Sequence, residues 1–176
     1  MVIKLSCAVA ALALFAAPAF AGDAACFWNA APEDIQAAFL AKAEVGLPEE
    51  ADFVTFAQAV SSDAILKQCG VTAATGRAAA AALDGLLIEV AAVRRMEALK
   101  VATGNQLSAA WAGMDPAMRQ SFLDRAVDHG AEDPQAIADF LKHAGLTEID
   151  ANSPAGPPLV AYITGRAQRV SSEAKF

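Results

Sequence analysis

Between Thr72 and Gly113 the chain carries a helical pattern interrupted only by Gly76, Gly85 and Gly104, and no other stretch limits the fold as strongly. Leu83, Leu86, Val90 and Val93 recur at steps of three and four, which places them on one stripe of an α-helix. Ala78 to Ala82 gives that helix a thin flank where a neighbouring backbone can come close. A helix this long rises about 1.5 Å per residue and must run through the middle of a small domain. The pattern predicts one long helix to about Ala102. A glycine inside a helix costs up to about 1 kcal/mol, so a break is expected near Gly104, with further helix through Leu107 and Trp111.

The remainder also reads as helices. Pro32 followed by Glu33 and Asp34 opens one: a first-turn proline, then acids at the positive dipole end. Ile35, Phe39 and Val45, with Ala38 and Ala43, are expected to form its apolar side, and Gly46 to stop it. Pro48, Glu49 and Glu50 open the next, in which Phe53, Phe56, Ala57 and Val60 share a face. Ser62 or Asp63 caps a short segment ending at Gly70. Asp115-Pro116 and Asp133-Pro134 mark two further starts, which Gly130 and Gly145 stop in turn. Residues 150–158 read as a loop before a last helix from Leu159 to about Val170, and Ser171 to Phe176 as a frayed tail. The expectation is an all-α fold: an irregular bundle of six or seven helices around one long central helix.

The first residues stand apart. Lys4 supplies a cation, Leu5 to Ala16 an apolar run broken only by Ser6, and Pro18 precedes Ala19-Phe20-Ala21, a small-x-small cleavage pattern. That combination predicts a secretory signal peptide over 1–21 and a single all-α domain over 22–176. The run is too short to span a bilayer, which takes roughly 20 apolar residues. Ala78 to Val93 is interrupted by Asp84 and Glu89, so no membrane span is expected beyond the leader.

Removing the leader changes the meaning of the cysteines. Cys7 leaves with it, and Cys26 and Cys69 remain, an even pair for an oxidising compartment. A Cys26–Cys69 disulfide would stabilise by about 4 kcal/mol in the chain-entropy account. Loss of Lys4 also makes the mature chain one unit more negative than the −7 of the full sequence. So acidic a protein repels nucleic acid and anionic membrane surfaces, and no nucleic-acid partner is expected.

Motifs for chemistry are sparse. His129 and His143 each fall in the last turn of an expected helix, where a histidine suits the negative dipole end. With Asp128 they are weak candidates for a metal site, but no H-x-x-x-H, H-E-x-x-H or C-x-x-C-H spacing supports one. Glu49-Glu50, Asp124 with Asp128, and Glu132-Asp133 are paired acids that mostly serve helix starts. Met96, Met114 and Met118 read as core packing. No cofactor is expected and no catalytic residue is assigned. Phe27, Trp28 and Trp111 are the candidates for contact with a partner, Trp28 alternatively covering the disulfide or the open end of the bundle.

The reading that follows is an exported, non-catalytic helical binding or accessory protein, acting on an unknown protein or apolar ligand. Its site is the periplasm in a Gram-negative bacterium, and otherwise the protein is secreted. A small periplasmic enzyme with an acidic site assembled in three dimensions, and a pH-responsive chaperone-like stress protein, are the alternatives.

Overall fold

A computed structural model describes residues 22–128, 134–150 and 152–176, without the side chains of 127 and 128. The leader, His129, Gly130, Glu132, Asp133 and the Asp128 side chain therefore lie outside the described residues. Among those described there are nine α-helices and no strand: α1 (Ala25–Ala30), α2 (Glu33–Val45), α3 (Glu50–Ala59), α4 (Asp63–Gln68), α5 (Gly76–Ala98), α6 (Gly104–Gly113), α7 (Pro116–Asp128), α8 (Pro134–Ala144) and α9 (Gly156–Glu173). The all-α bundle is as expected; the helix count is higher than six or seven, and α1 is one that carries no strong start signal. It forms where Asp23 Oδ1 accepts the Ala25 N–H at 2.8 Å. Burial of Ala25, Cys26, Phe27 and Trp28 then holds it in place.

The central helix is α5, and it belongs to two apolar clusters. Its first half packs Leu83, Leu86 and Leu87 among residues of α1 to α4; its second half packs Ala92 and Met96 among residues of α6 to α9. The Cys26–Cys69 bridge is formed, with its Cα atoms 5.6 Å apart, tying α1 to the residue that ends α4.

Antiparallel to α5 lies α9, the most extensive helix pair in the molecule. The two backbones nearly touch. A Cβ added to Gly85 would lie 2.6 Å from Arg169 N and 2.8 Å from Gly165 O; one added to Gly165 would lie 2.8 Å from Glu89 N and from Gly85 O. Only glycine fits at either position.

The central helix ends earlier than expected, at Ala98. Val101 N–H donates to Met96 O (3.0 Å) and Lys100 N–H to Glu97 O (2.9 Å), with Lys100 at φ 57. This is the left-handed helix ending normally given to glycine. Gly70 and Gly145 close α4 and α8 in the same way, at φ 78 and φ 68. Gly104 is then no kink but the first residue of α6. Thr103 Oγ1 accepts the Gln106 N–H at 3.2 Å, and Gln106 Oε1 accepts the Thr103 N–H at 2.9 Å.

Three further expectations are corrected. The loop after Asp150 is shorter than 150–158, because α9 starts at Gly156 and takes Pro157 and Pro158 into its first turn, where a missing N–H costs nothing. The tail is not frayed: α9 runs to Glu173, and the Phe176 ring stacks on Phe27 at 5.9 Å. On α2, Ile35, Phe39 and Ala43 turn inward at steps of four, but Val45 is 78% exposed. It stands six residues past Phe39, roughly 240° round the helix, outside the apolar stripe.

Gly85→Ala is expected to destabilise the protein by about 2–3 kcal/mol, because both blocking atoms are backbone and the helices must part. Gly76→Ala, with open space around it, is expected to be neutral or to stabilise by up to about 1 kcal/mol. Urea unfolding of the two variants measures the contrast; a Gly85→Ala protein as stable as the parent would refute the close approach.

Candidate functional site

The three aromatic candidates lie inside the protein. Trp28 stacks on Phe56 at 5.2 Å and meets Phe39 edge-on at 6.3 Å, and Phe39 in turn meets Phe53 and Phe56. Phe27 is held between the N-terminal core and Phe176. Trp111 stacks on Phe122 at 6.1 Å within the second core. All three are buried. They fill the two cores, one at each end of α5, and as placed here offer a partner no surface.

His143 holds its own helix together. Its Nδ1 donates to Asp139 O at 2.9 Å. Asp139 Oδ2 meanwhile accepts the Asp115 N–H at 3.1 Å, and Asp115 Oδ1 accepts the N–H groups of Ala117 and Met118. These bonds fix the start of α7 against α8. Among the described residues no group of three or more His, Cys, Asp or Glu is placed to hold a metal ion. His129 and the Asp128 side chain are not among them.

The densest buried polar cluster contains residues that the sequence reading passed over. Glu89 of α5, 8% exposed, accepts from Arg166 Nη1 at 2.7 Å and from Arg169 Nε at 2.8 Å, one guanidinium on each carboxylate oxygen. Arg169 Nη1 reaches Glu173 at 3.3 Å, and Glu173 Oε1 accepts the Ala24 N–H at 3.1 Å. Gln168 Nε2 donates to Ala81 O and to Asp84 Oδ2. The chain of contacts runs from α5 through α9 to the segment before α1. In the sequence, Glu89 registers only as a break in an apolar run. The available signal was a lone acid on a buried stripe with two arginines three apart on the last helix.

The electrostatics fit a structural clamp. Burial lowers the tendency of Arg169 to stay charged, but Glu89 and Glu173 outweigh it and hold its guanidinium above the ordinary range. Tyr162, buried beside this cluster, is pushed well above the ordinary phenol range, first by burial and then by Glu89. It remains a protonated hydroxyl. Both oxygens of Glu89 are engaged, so it is no free base. Burial also raises Glu173, against the opposing effect of Arg169 and the Ala24 amide. A carboxyl raised in the folded state carries a cost when ionised, present above its folded pKa and relieved as pH falls through it. Acid therefore does not loosen this end of the molecule by way of Glu173.

The surface offers a different feature. Val45 (78%), Leu47 (42%) and Val54 (47%) are the exposed large hydrophobics among the described residues, and all belong to the corner between α2 and α3. The corner is well anchored. Arg95 Nη1 donates to Glu44 O at 2.6 Å, and Arg94 pairs with the Glu44 carboxylate. Asp52 Oδ2 accepts the Glu49 N–H at 3.0 Å, which sets the start of α3. Phe56 is drawn into the core, so Val54, two residues earlier, points away from it.

Comparison with protein-family models, with curated proteins and with solved structures gives no match.

Glu89→Gln leaves two half-buried guanidinium groups facing a buried neutral amide and is expected to cost about 3 kcal/mol of stability by urea unfolding. A loss within about 0.5 kcal/mol, the range of an ordinary surface substitution, would show that the clamp adds nothing.

Proposed function

We propose that this chain is an exported, non-catalytic helical binding protein whose docking surface is the α2–α3 corner. The observation that carries the reading is the placement of the exposed large hydrophobics. A folded chain that buries its tryptophans and pairs its buried acid leaves Val45, Leu47 and Val54 in water, within ten residues of one another at the α2–α3 corner, which Arg95 braces. Large apolar side chains left exposed within one short stretch support an interaction site there.

Export is supported by the leader pattern over 1–21 and by the Cys26–Cys69 bridge, which suits an oxidising compartment. No helix among the described residues is long and apolar enough to cross a membrane. The alanine-rich composition suits a high-GC bacterium; in a Gram-negative one the compartment is the periplasm, and otherwise the protein is secreted. Produced in a Gram-negative host, the chain is expected in the periplasmic fraction with the mass of Gly22–Phe176, its two thiols appearing only after reduction. Retention in the cytoplasm at full mass would refute export.

Docking is tested with a photoreactive amino acid at position 54, and as a control at Thr164, which is exposed on α9. Irradiation of exporting cells is expected to give a discrete adduct with a second protein from position 54, lost when Leu47→Ser is added, and none from position 164. Equal labelling from both positions, no adduct from position 54, or an adduct that is the chain's own dimer would each overturn the reading.

A further inference from the structure

The α2–α3 corner is not only apolar. Between Glu44 and Asp52 the chain carries four acidic residues and no cation. Three of the four are engaged within the fold: Glu44 by Arg94, Asp52 by the Glu49 amide, and Glu49 by the Asp52 amide in the same capping box. Glu49 and Glu50 are exposed, and Glu49 keeps a second carboxylate oxygen free of that box. Glu50 stands four residues before Val54, one turn away on the same face of α3, and Glu49 directly follows the Leu47-Pro48 step. Arg94 and Arg95 of α5 are turned onto Glu44 and bring no cation to Glu49 or Glu50.

Resting on the docking reading above, we propose that the corner receives a cationic amphipathic segment of a partner protein. The partner's apolar side chains would cover Val45, Leu47 and Val54, while lysines or arginines reach Glu49 and Glu50. Each half of this surface narrows the occupant. A purely apolar ligand gains nothing from the carboxylates and partly desolvates them, which costs free energy. A purely cationic one leaves the valines and the leucine wet. A second copy of this chain would bring its own acids against these, a like-charge pairing that opposes association. The same charge steers a cationic partner inward, so association should be fast at low salt and slow at high salt.

The test uses the oxidised Gly22–Phe176 chain and synthetic probes of about 14 residues, long enough for a marginal helix. One is an amphipathic peptide of leucine and lysine; in a second every lysine becomes glutamate; in a third every leucine becomes serine. Calorimetry should show binding of the leucine–lysine peptide and of neither control. Affinity should fall about tenfold with Leu47→Ser and again with Val54→Ser, by the usual worth of a half-buried aliphatic side chain. Glu49→Gln with Glu50→Gln should weaken it several-fold and flatten its dependence on salt between roughly 50 and 300 mM. Glu148→Gln, at an exposed position far along the chain, should change nothing. All of these positions lie on the surface, so unchanged thermal midpoints are expected and confirm that the variants remain folded.

Equal binding of the glutamate peptide, or a leucine–lysine affinity indifferent to Leu47→Ser and Val54→Ser, would overturn the proposal. So would a stable dimer in sedimentation, or binding to zwitterionic lipid vesicles as strong as to the peptide. The two readings fail separately. An adduct from position 54 without peptide binding leaves docking intact and refutes only the cationic chemistry; no adduct and no peptide binding refutes both.

Discussion

The approach of α5 to α9 at Gly85 and Gly165 governs the rest of the structure. With no Cβ on either side, the two backbones come within a distance no other residue pair would allow. That proximity sets where the flanking side chains fall. Glu89 and Arg166 meet because Gly165 lets the helices close between them, and Arg169 reaches across to the same carboxylate. A buried ion pair of this kind recovers its desolvation cost only with good geometry, and here the geometry follows from the glycines. Breaking the approach would leave Glu89 buried without its partners, so packing and electrostatics depend on a single contact.

The two cores sit at either end of this contact. One is built from the ring cluster of Trp28, Phe39, Phe53 and Phe56, the other from Trp111, Phe122, Phe140 and Tyr162. Aromatic pairs of this kind contribute about 0.5–1.5 kcal/mol each beyond the area they bury. The disulfide tightens only the first core, joining α1 to the end of α4. It braces the half of the molecule that also bears the acidic, apolar corner, so that corner is presented by the more constrained end.

Much of this was legible in the residues. Caps and stops are local chemistry, and Ser62, Asp115, Gly70 and Gly145 act where their types predict. The cysteine pairing follows from counting once the leader is set aside. What the sequence concealed was set by tertiary contact. The end of α5 was misplaced because Lys100 adopts the left-handed conformation usually left to glycine, a choice that costs about 1 kcal/mol and is repaid by the turn into α6. For Trp28 the residues left two readings open, a cover for the disulfide or bundle end and a contact for a partner, because residue type says nothing about depth; the structure buries it and Trp111. Val45 was placed on the apolar side of α2 by residue type, although it stands roughly 240° round the helix from Phe39. The clamp was hidden because its halves lie 77 and 80 residues apart.

The bond between Ala24 and Glu173 spans 149 residues, almost the whole described chain. Beside it, Phe27 receives the ring of Phe176. The earliest residues of the domain to be synthesised thus complete their contacts only when the last ones arrive. Such long loops close slowly, because their entropy must be spent before any contact rewards it. The Cys26–Cys69 loop, with a separation of 43, is much shorter and can close before the final helix docks. Without α9 the second half of the spine loses its cover and the first helix its lid, so the two ends of the domain complete one another.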